Sequence, residues 1–323
     1  MDKPIILISA IHGDIGCSAV RSLREATKKI VGCDMNPYSP ISHLVDKFYA
    51  APAATDTTIY MAFLREVIIR EKVDFFLPVS ESEIEVLNTR RKELETLGVQ
   101  LLLNNQNIID TFLDKLNTIQ YLKGLNIRVP RTLLLSDYDG SYGYPLIVKS
   151  KKSHGSKKLL KIMDANDLAY ICKKDDGTFL IQEYIGSDKE EYTTGVFSDG
   201  NIVSSLTFRR KLGFGSMSIE AVLADEPYID TMVRRIAKNI GLIGSINMQS
   251  RKVGNDFIPF EINPRLSSTL LFRKKFGFDD AVWWLNVLLG KGYFYKKKFK
   301  SGMAVRSLSE CYFDMEELKH EDQ

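Results

Sequence analysis

Ile258-Pro259-Phe260-Glu261-Ile262-Asn263-Pro264-Arg265 is a short apolar run that carries two oxygen-donating side chains at alternate positions and then stops at a proline and an arginine. On an extended strand alternate residues face the same way, so Glu261 and Asn263 project together where Pro264 ends the strand. A carboxylate beside a carboxamide suits a hard cation such as Mg²⁺, which takes oxygen ligands and keeps phosphates as partners. Arg265 is placed to neutralise phosphate oxygens. Ile246-Asn247-Met248-Gln249 repeats the theme, and Val253-Gly254-Asn255-Asp256 between the two is a turn signal. The segment reads as a β-hairpin with Gln249, Glu261 and Asn263 on one face. Polar groups at a solvated strand end would give the same local pattern, so the rest of the chain has to decide.

At 323 residues, 44% hydrophobic and 26% charged, the chain has an ordinary globular composition and enough length for two domains. A formal charge of +3 is too small to argue for nucleic acid. Cys17, Cys33, Cys172 and Cys311 are scattered without CxxC spacing, which indicates reduced thiols rather than a disulfide framework or a zinc site. The start has too short an apolar run for a signal peptide, and no run is long enough to span a bilayer. Ala281-Val282-Trp283-Trp284-Leu285 reads as a buried helix.

Over the first hundred residues strand and helix signals alternate. Ile5 to Ile8 is a strand, Ser18 to Lys29 has helical spacing, and Ile30 to Asp34 is a second strand. Asp56 to Arg70 is a helix, Phe75 to Val79 a strand, Ile84 to Leu97 a helix and Val99 to Leu103 a strand. This pattern predicts a small parallel sheet with helices on both faces. The Gly13-Asp14-Ile15-Gly16 turn invites a dinucleotide reading, with Asp34 as the ribose acid. The fingerprint is incomplete, because G-x-G-x-x-G would need glycine where Ile11 stands. Ligands of such sheets sit beyond the carboxyl ends of the strands, so His12, Gly13, Ser80 and Glu81 are candidate substrate residues; ordinary loop polarity explains them equally well.

From Asn104 the character changes. Ile108, Phe112, Leu116 and Ile119 recur at helical spacing, with Lys115 among them. Tyr144 to Lys149 is a strand that runs into a small-residue, lysine-rich loop, Ser150 to Lys158. Such a loop can close over phosphates, and it can also be a solvated hairpin tip. Phe179 to Ile185, Tyr192 to Phe197 and Ile202 to Phe208 read as strands, the last two joined by Asp199-Gly200 in a hairpin. Arg209-Arg210-Lys211 reads as part of a loop with Gly213 and Gly215, either an anion contact or a solvated charge run. Pro227 to Ile240 is a helix.

Taken in order, Lys115, Tyr144 to Lys149 with its loop, Gln182-Glu183-Tyr184-Ile185, Glu191-Tyr192-Thr193, Asn247-Met248-Gln249 and Glu261-Ile262-Asn263-Pro264-Arg265 resemble the ATP-grasp superfamily. The nearest likeness is to the ATP-binding part of the carbamoyl-phosphate synthase large chain. The resemblance implies α/β and α+β architecture: a Rossmann-like, pre-ATP-grasp parallel-sheet domain over 1–103, a two-lobed ATP-grasp domain over 104–290 with its smaller lid lobe at about 132–192, and an extension over 291–323 packing on that domain. It implies ATP with Mg²⁺ or Mn²⁺. Lys115 and Lys149 would contact the nucleotide, Ser153, His154, Gly155 and Ser156 would form the lid, Glu183, Tyr184 and Ile185 the hinge, and Glu191 would hold the ribose. Gln249, Glu261 and Asn263 would ligate metal, with Arg265 and Lys149 catalytic and Arg209 and Arg210 facing substrate.

The implied chemistry is a carboxylate–amine ligation through an acylphosphate, acting on small molecules in the cytoplasm, without nucleic acid or membrane and with a homodimer left open. Three departures stand against the family pattern. Thr194 stands where an aspartate is common, Ser267-Ser268-Thr269 replaces a glycine-rich stretch, and the lid has few glycines. A nucleotide-binding protein without turnover, or an NAD(P)-dependent oxidoreductase, are the competing readings.

Overall fold

The computed structural model describes residues 3–152, 159–213, 215, 217–307 and 311. The chain divides into two units, Met1–Leu102 with Val305–Gln323, and Leu103–Ala304. In the first, β1 (Ile5–Ile8), β2 (Lys29–Asp34), β3 (Lys47–Ala50), β4 (Phe75–Leu77) and β5 (Gln100–Leu101) pair in parallel in the order β3-β2-β1-β4-β5. The crossovers carry α1 (Asp14–Leu23), α2 (Thr57–Glu71) and α3 (Glu81–Glu95). Ile6, Leu7 and Ile8 of the central strand are fully buried, as a parallel strand covered on both faces requires.

Three details of this unit differ from the sequence expectation. β3 gave no strand signal because it is a half-exposed edge without alternating burial. α1 begins a turn earlier than expected, at Asp14, whose carboxylate suits a helix N-terminus. α3 also starts earlier, because Ser80 and Glu83 form a reciprocal capping box.

The second unit contains two sheets. After α4 (Gln106–Phe112) and α5 (Lys115–Gly124), the strands β6 (Thr132–Leu134), β7 (Leu146–Ser150), β8 (Leu160–Ile162) and β9 (Phe179–Glu183) form a sheet in the order β6-β9-β7-β8, with α6 (Ala165–Cys172) between β8 and β9. Leu146, Val148 and Ile181 pack with Ile171 of α6 in this lobe's own core. Lys149, one residue on from Val148, faces away from that core. The single helix expected from Asn104 is broken in two, because Asp114 caps α5 by accepting from the N–H groups of Leu116 and Asn117.

The larger sheet has β10 (Glu191–Asp199), β11 (Val203–Leu212), β12 (Ser218–Ala224), β13 (Ile243–Val253) and β14 (Asp256–Asn263), with β15 (Met303–Val305) at its edge, in the order β14-β13-β10-β11-β12-β15. Helices α7 (Pro227–Ile240), α8 (Leu270–Lys275) and α9 (Asp280–Leu288) complete the unit. Register defines its two faces, since residues opposite each other in an antiparallel ladder share a side. Tyr192, Val196, Ile246, Met248 and Ile262 point to one side and pack with α7. Thr193, Gln249 and Glu261 form one cross-strand row on the other side, and Gly195, Asn247 and Asn263 form the next. α8 and α9 cover only the far part of that second face, where Phe197 meets Trp283 and Phe208 meets Phe276. Phe208 stands opposite Thr193 at the covered end of the Glu261 row, and Glu261 stands at the other end, on the edge strand β14.

The strands of this sheet are longer than expected, and Arg209, Arg210 and Lys211 belong to β11, paired with Val222, Ala221 and Glu220. Of the C-terminal extension, Tyr293 packs on Phe197 and Trp283, and Tyr295 packs on Phe278. The described residues 305–307 and 311 belong with the first unit. No described helix is long and apolar enough to cross a membrane.

Gly13 and Gly16 separate by what a side chain would meet. A Cβ on Gly16 would sit 2.2 Å from the Ala10 carbonyl oxygen, whereas one on Gly13 would meet nothing closer than 3.5 Å. Gly16 is therefore required for α1 to approach the β1 exit, independently of any ligand. Gly16→Ala is expected to destabilise the unit by about 1–3 kcal/mol, and Gly13→Ala to be near neutral. Hydrogen exchange of the β1 amides in the two variants measures the difference.

Candidate functional site

Glu261 is the centre of the site. It is half-buried on β14, and the Asn263 amide donates to its Oε1 at 3.1 Å. Burial alone would raise its carboxyl. Lys115, Lys149, the Asn263 amide and Arg210 outweigh that and hold it below the ordinary carboxylate value. It is therefore an ionised ligand-type carboxylate in a cationic setting. Asn263 also faces Arg265, whose Nη2 lies 3.5 Å from Asn263 Oδ1 and whose Nη1 donates to the Leu266 carbonyl at 3.0 Å.

Lys149 arrives from the other sheet. It is 4% exposed; its Nζ donates to Gln182 Oε1 at 3.0 Å, and Gln182 Nε2 donates to Thr132 Oγ1 at 2.8 Å. That chain fixes the ammonium's direction, and the Phe260 ring lies 5.9 Å from it. Burial lowers the Lys149 ammonium to about 8, against the support of Glu261 and with further lowering by Lys115 and Arg251. The two sheets thus close on one another with a pair of lysines facing one carboxylate. Lys115, the first residue of α5, is buried as well, and its N–H donates to the Lys151 carbonyl at 3.1 Å.

The hinge residues lie beside this cluster. Glu183 accepts from Arg131 through the backbone N–H at 3.2 Å and the side-chain Nε at 3.4 Å. The Tyr184 ring is flanked by Lys161 Nζ at 4.0 Å and the Arg251 guanidinium at 4.9 Å. The Ile185 carbonyl accepts from Arg251 at 3.2 Å. Arg251 also donates to Glu191 Oε2 at 3.1 and 2.9 Å, and Arg210 donates to Oε1 at 3.1 and 2.7 Å. Those four bonds fill the lone-pair sites of the carboxylate. Arg209 turns to the opposite face of β11 and meets Glu190 at 3.3 Å, so the two arginines do not act as one patch.

Sequence reasoning missed Arg251, a single basic residue on a long strand with no local signature. It also missed the continuation of the Glu261 face by Asn247, whose Oδ1 accepts from Thr193 Oγ1 at 3.0 Å. Strand alternation from Gln249 could have placed that residue. Gln249 stands directly opposite Glu261 in the ladder. Among the described residues no group of three or more His, Cys, Asp or Glu side chains gathers as a metal cage. One ionised carboxylate with amide oxygens beside it fits a hard divalent ion that keeps waters and phosphate oxygens as its other ligands.

His12, Gly13, Ser80 and Glu81 lie in the first unit, at the carboxyl ends of β1 and β4. There the Ser80 hydroxyl caps α3. The Asp34 carboxylate is engaged by its own turn, accepting the His12 N–H at 2.8 Å and the Asn36 N–H at 2.9 Å. Ser153, His154, Gly155 and Ser156 lie outside the described residues. A hollow of about 310 Å³ lined by Ser198, Asn201, Val203 and Lys238 sits at the opposite end of β10 from Glu191, about 24 Å along the strand. It contributes one lysine and no acid, and the geometry above does not involve it.

Comparisons with known proteins bear on the fold that carries these residues. Residues 6–102 match a model described as the PylC-like, N-terminal domain, and residues 175–311 match one described as ATP-grasp in the biosynthetic pathway with Ter operon. The carbamoyl phosphate synthase large chain of Pseudomonas syringae pv. tomato is 23% identical over 221 residues, 62% of this chain and 21% of that protein. N-acetylaspartylglutamate synthase A of Mus musculus is 28% identical over 138 residues, 39% of this chain and 35% of that protein. The chain thus spans about a fifth to a third of the length of these relatives. N5-carboxyaminoimidazole synthetase from Staphylococcus aureus, solved with ADP, superposes with a TM-score of 0.75 at 17% identity, covering 95% of this chain and 84% of that one. The biotin carboxylase domain of Hydrogenobacter thermophilus 2-oxoglutarate carboxylase, solved with MgADP, ADP and bicarbonate, gives 0.75 at 16%, covering 92% and 72%. The two facing sheets define an ATP-grasp fold. The chain has this fold, carries matches to a PylC-like N-terminal model and an ATP-grasp model over parts of its length, and resembles the carbamoyl phosphate synthase large chain.

The lowered Lys149 makes a pH prediction. Folded Lys149 loses its proton near 8, whereas an ordinary lysine does so at 10.5. Below 8 the buried charge opposes folding, and that opposition disappears as pH rises from 8 to 10.5. Wild type is therefore expected to gain on Lys149→Met across this window, by up to roughly 3 kcal/mol. Urea unfolding of both proteins at matched pH values reads the convergence.

Proposed function

We propose that this chain is an ATP- and Mg²⁺-dependent ligase that activates a carboxylate as an acylphosphate and joins it to an amine. The observation that carries the reading is the convergence of Lys149 and Lys115 on ionised Glu261, with Asn263 and Gln249 beside it, between two sheets. A polyphosphate with its metal suits such a site. Its charge answers the cations, and the metal answers the carboxylate.

In this reading Glu261 and Asn263 hold Mg²⁺, with Gln249 opposite. When bound, the ion would neutralise charge on the phosphate chain. Lys149 and Lys115 bind phosphate oxygens, and Arg265 meets the terminal phosphate. Backbone groups of Glu183, Tyr184 and Ile185 read the adenine edge, with Arg251 holding that segment in place. Glu191 contacts the ribose once Arg210 or Arg251 yields an acceptor site.

The substrate carboxylate oxygen attacks the γ-phosphorus, the bond to the β,γ-bridging oxygen breaks, and ADP leaves. The amine then attacks the acyl carbon, phosphate departs with the bonding pair, and the nitrogen releases a proton to solvent. Positioning and electrostatics supply most of the acceleration in such transfers. Arg210, on the face of Glu261, is a candidate substrate contact in the second unit, Arg209 on the other face of β11 is not, and His12, Gly13, Ser80 and Glu81 are candidates within the first unit. The partners are small molecules, with a homodimer as a further proposal. A cytoplasmic setting suits four cysteines that form no disulfide.

Calorimetry with MgADP tests the nucleotide site. Wild type is expected to bind, with affinity falling about ten- to a hundredfold in Lys149→Met and in Glu261→Ala. Removal of the metal should weaken wild type and leave Glu261→Ala unchanged. Phosphate release on mixing MgATP with paired carboxylates and amines tests the ligation. Absence of MgADP binding would reject the reading.

A further inference from the structure

Arg265 stands on a loop that is pinned on both sides by buried polar groups. At one side, the fully buried Asn104 Nδ2 donates to the Ser245 carbonyl at 2.8 Å and to the Pro264 carbonyl at 2.9 Å. At the other, Arg273 Nη1 donates to Ser267 Oγ at 2.6 Å and Thr269 Oγ1 at 3.3 Å. Arg273 Nη2 donates to both Asp280 oxygens, at 3.0 and 2.7 Å, and Asp280 Oδ2 also accepts from Ser245 Oγ at 2.6 Å. Both members of the ion pair are fully buried. Ser245 thus receives both arms, its carbonyl taking Asn104 and its hydroxyl reaching Asp280.

The sheet is shaped to admit this guanidinium. A Cβ on Gly195 would lie 2.7 Å from Arg273 Cδ, Nε and Cζ, so the glycine lets the side chain lie on the strand. Gly195 is in the cross-strand row of Asn247 and Asn263. The pair therefore touches the sheet one row away from Glu261, on the same face.

A buried ion pair is weak evidence for stability, because apolar residues of similar volume often serve as well. Here its hydrogen bonds converge on two loop hydroxyls and one strand end, which is what positioning requires. We propose that Asn104 and the Arg273–Asp280 pair are positioning residues that hold the Pro264–Thr269 loop on the sheet, so that Arg265 is presented to the terminal phosphate of ATP. The proposal rests on the nucleotide reading of the site and adds residues that touch neither nucleotide nor metal.

The test compares affinities for MgADP and for the Mg²⁺ complex of the β,γ-imido analogue of ATP, measured by calorimetry. Ser267→Ala/Thr269→Val removes the loop's anchors to Arg273 and leaves the ion pair and the Asn104 contact in place. It and Arg265→Ala are each expected to weaken the triphosphate about tenfold relative to MgADP. Because the clamp acts through Arg265, combining them should cost no more than Arg265→Ala alone. Arg273→Met/Asp280→Leu should behave like the loop variant, with its fold checked by far-UV circular dichroism, and Arg273→Lys should recover most of the loss. The Ser267/Thr269 variant carries the test if the ion-pair variant does not fold. A wild-type triphosphate-to-diphosphate ratio in the loop variant, full additivity with Arg265→Ala, or no effect of Arg265→Ala would each overturn the clamp while leaving nucleotide binding intact. A wild type that binds neither nucleotide rejects the underlying reading, and the clamp with it.

Discussion

The structure depends on a surplus of buried positive charge. Around Glu261, Glu191 and Asp188 stand Lys115, Lys149, Arg210 and Arg251, four cations to three carboxylates. Taking such groups from water is expensive unless each is paired. Glu191 holds two guanidinium groups, and Glu261 faces both lysines. Burial, and after it the neighbouring Lys115 and Arg251, leave the Lys149 proton held less tightly than in an ordinary lysine despite the nearby Glu261 carboxylate. On the nucleotide reading proposed above, a polyphosphate suits these cations better than a simple carboxylate, because they stand on two different sheets and on α5.

The sheet makes that arrangement possible by keeping its rows separate. Thr193, Gln249 and Glu261 occupy one row, and Gly195, Asn247 and Asn263 the next. Ladder register, rather than loop geometry, sets the distance from the Glu261 row to the row where Arg273 lies. The register between β13 and β14 shifts just after the Gln249–Glu261 pair, where Ser250 meets Pro259 and Phe260 is passed over. A bulge at that point frees Phe260 to lean towards Lys149 and Arg251, whose charged groups lie 5.9 and 5.6 Å from its ring.

Much of this was legible in the sequence wherever the determining interactions are local. The hairpin carrying Glu261 and Asn263 is fixed by alternation, a Gly-Asn turn and a terminal proline, and α7 follows Pro227 to Ile240 as its periodicity predicts. The alternating first hundred residues gave the parallel sheet, but not β3, whose half-exposed edge has no apolar pattern to detect. Arg209 to Lys211 read as loop because charge dominates locally, while the ladder to β12 that makes them strand is a tertiary fact. Asn104, Arg251, Arg273 and Asp280 left no trace. The Asn104 amide meets a carbonyl 160 residues away, and spacing rules say nothing at that range.

The departures from the family pattern also take on a physical meaning once faces are known. Thr194 points to the side of β10 away from Glu261, and its hydroxyl is 3.0 Å from that of Thr207, inside the sheet's buried polar set. Its identity bears on how β10 and β11 hold together and leaves the row of Glu261 untouched. Ser267 and Thr269 differ in kind from Thr194, because their hydroxyls are the atoms that Arg273 grips. Glycines at those positions would offer the guanidinium no side-chain acceptor, so the substitution and the buried arginine belong to one solution. Rigidity that a glycine-rich loop would leave to ligand contacts is supplied here by the protein's own hydrogen bonds. On the nucleotide reading proposed above, the Arg265 end of the site is organised in advance, which lowers the ordering cost of binding.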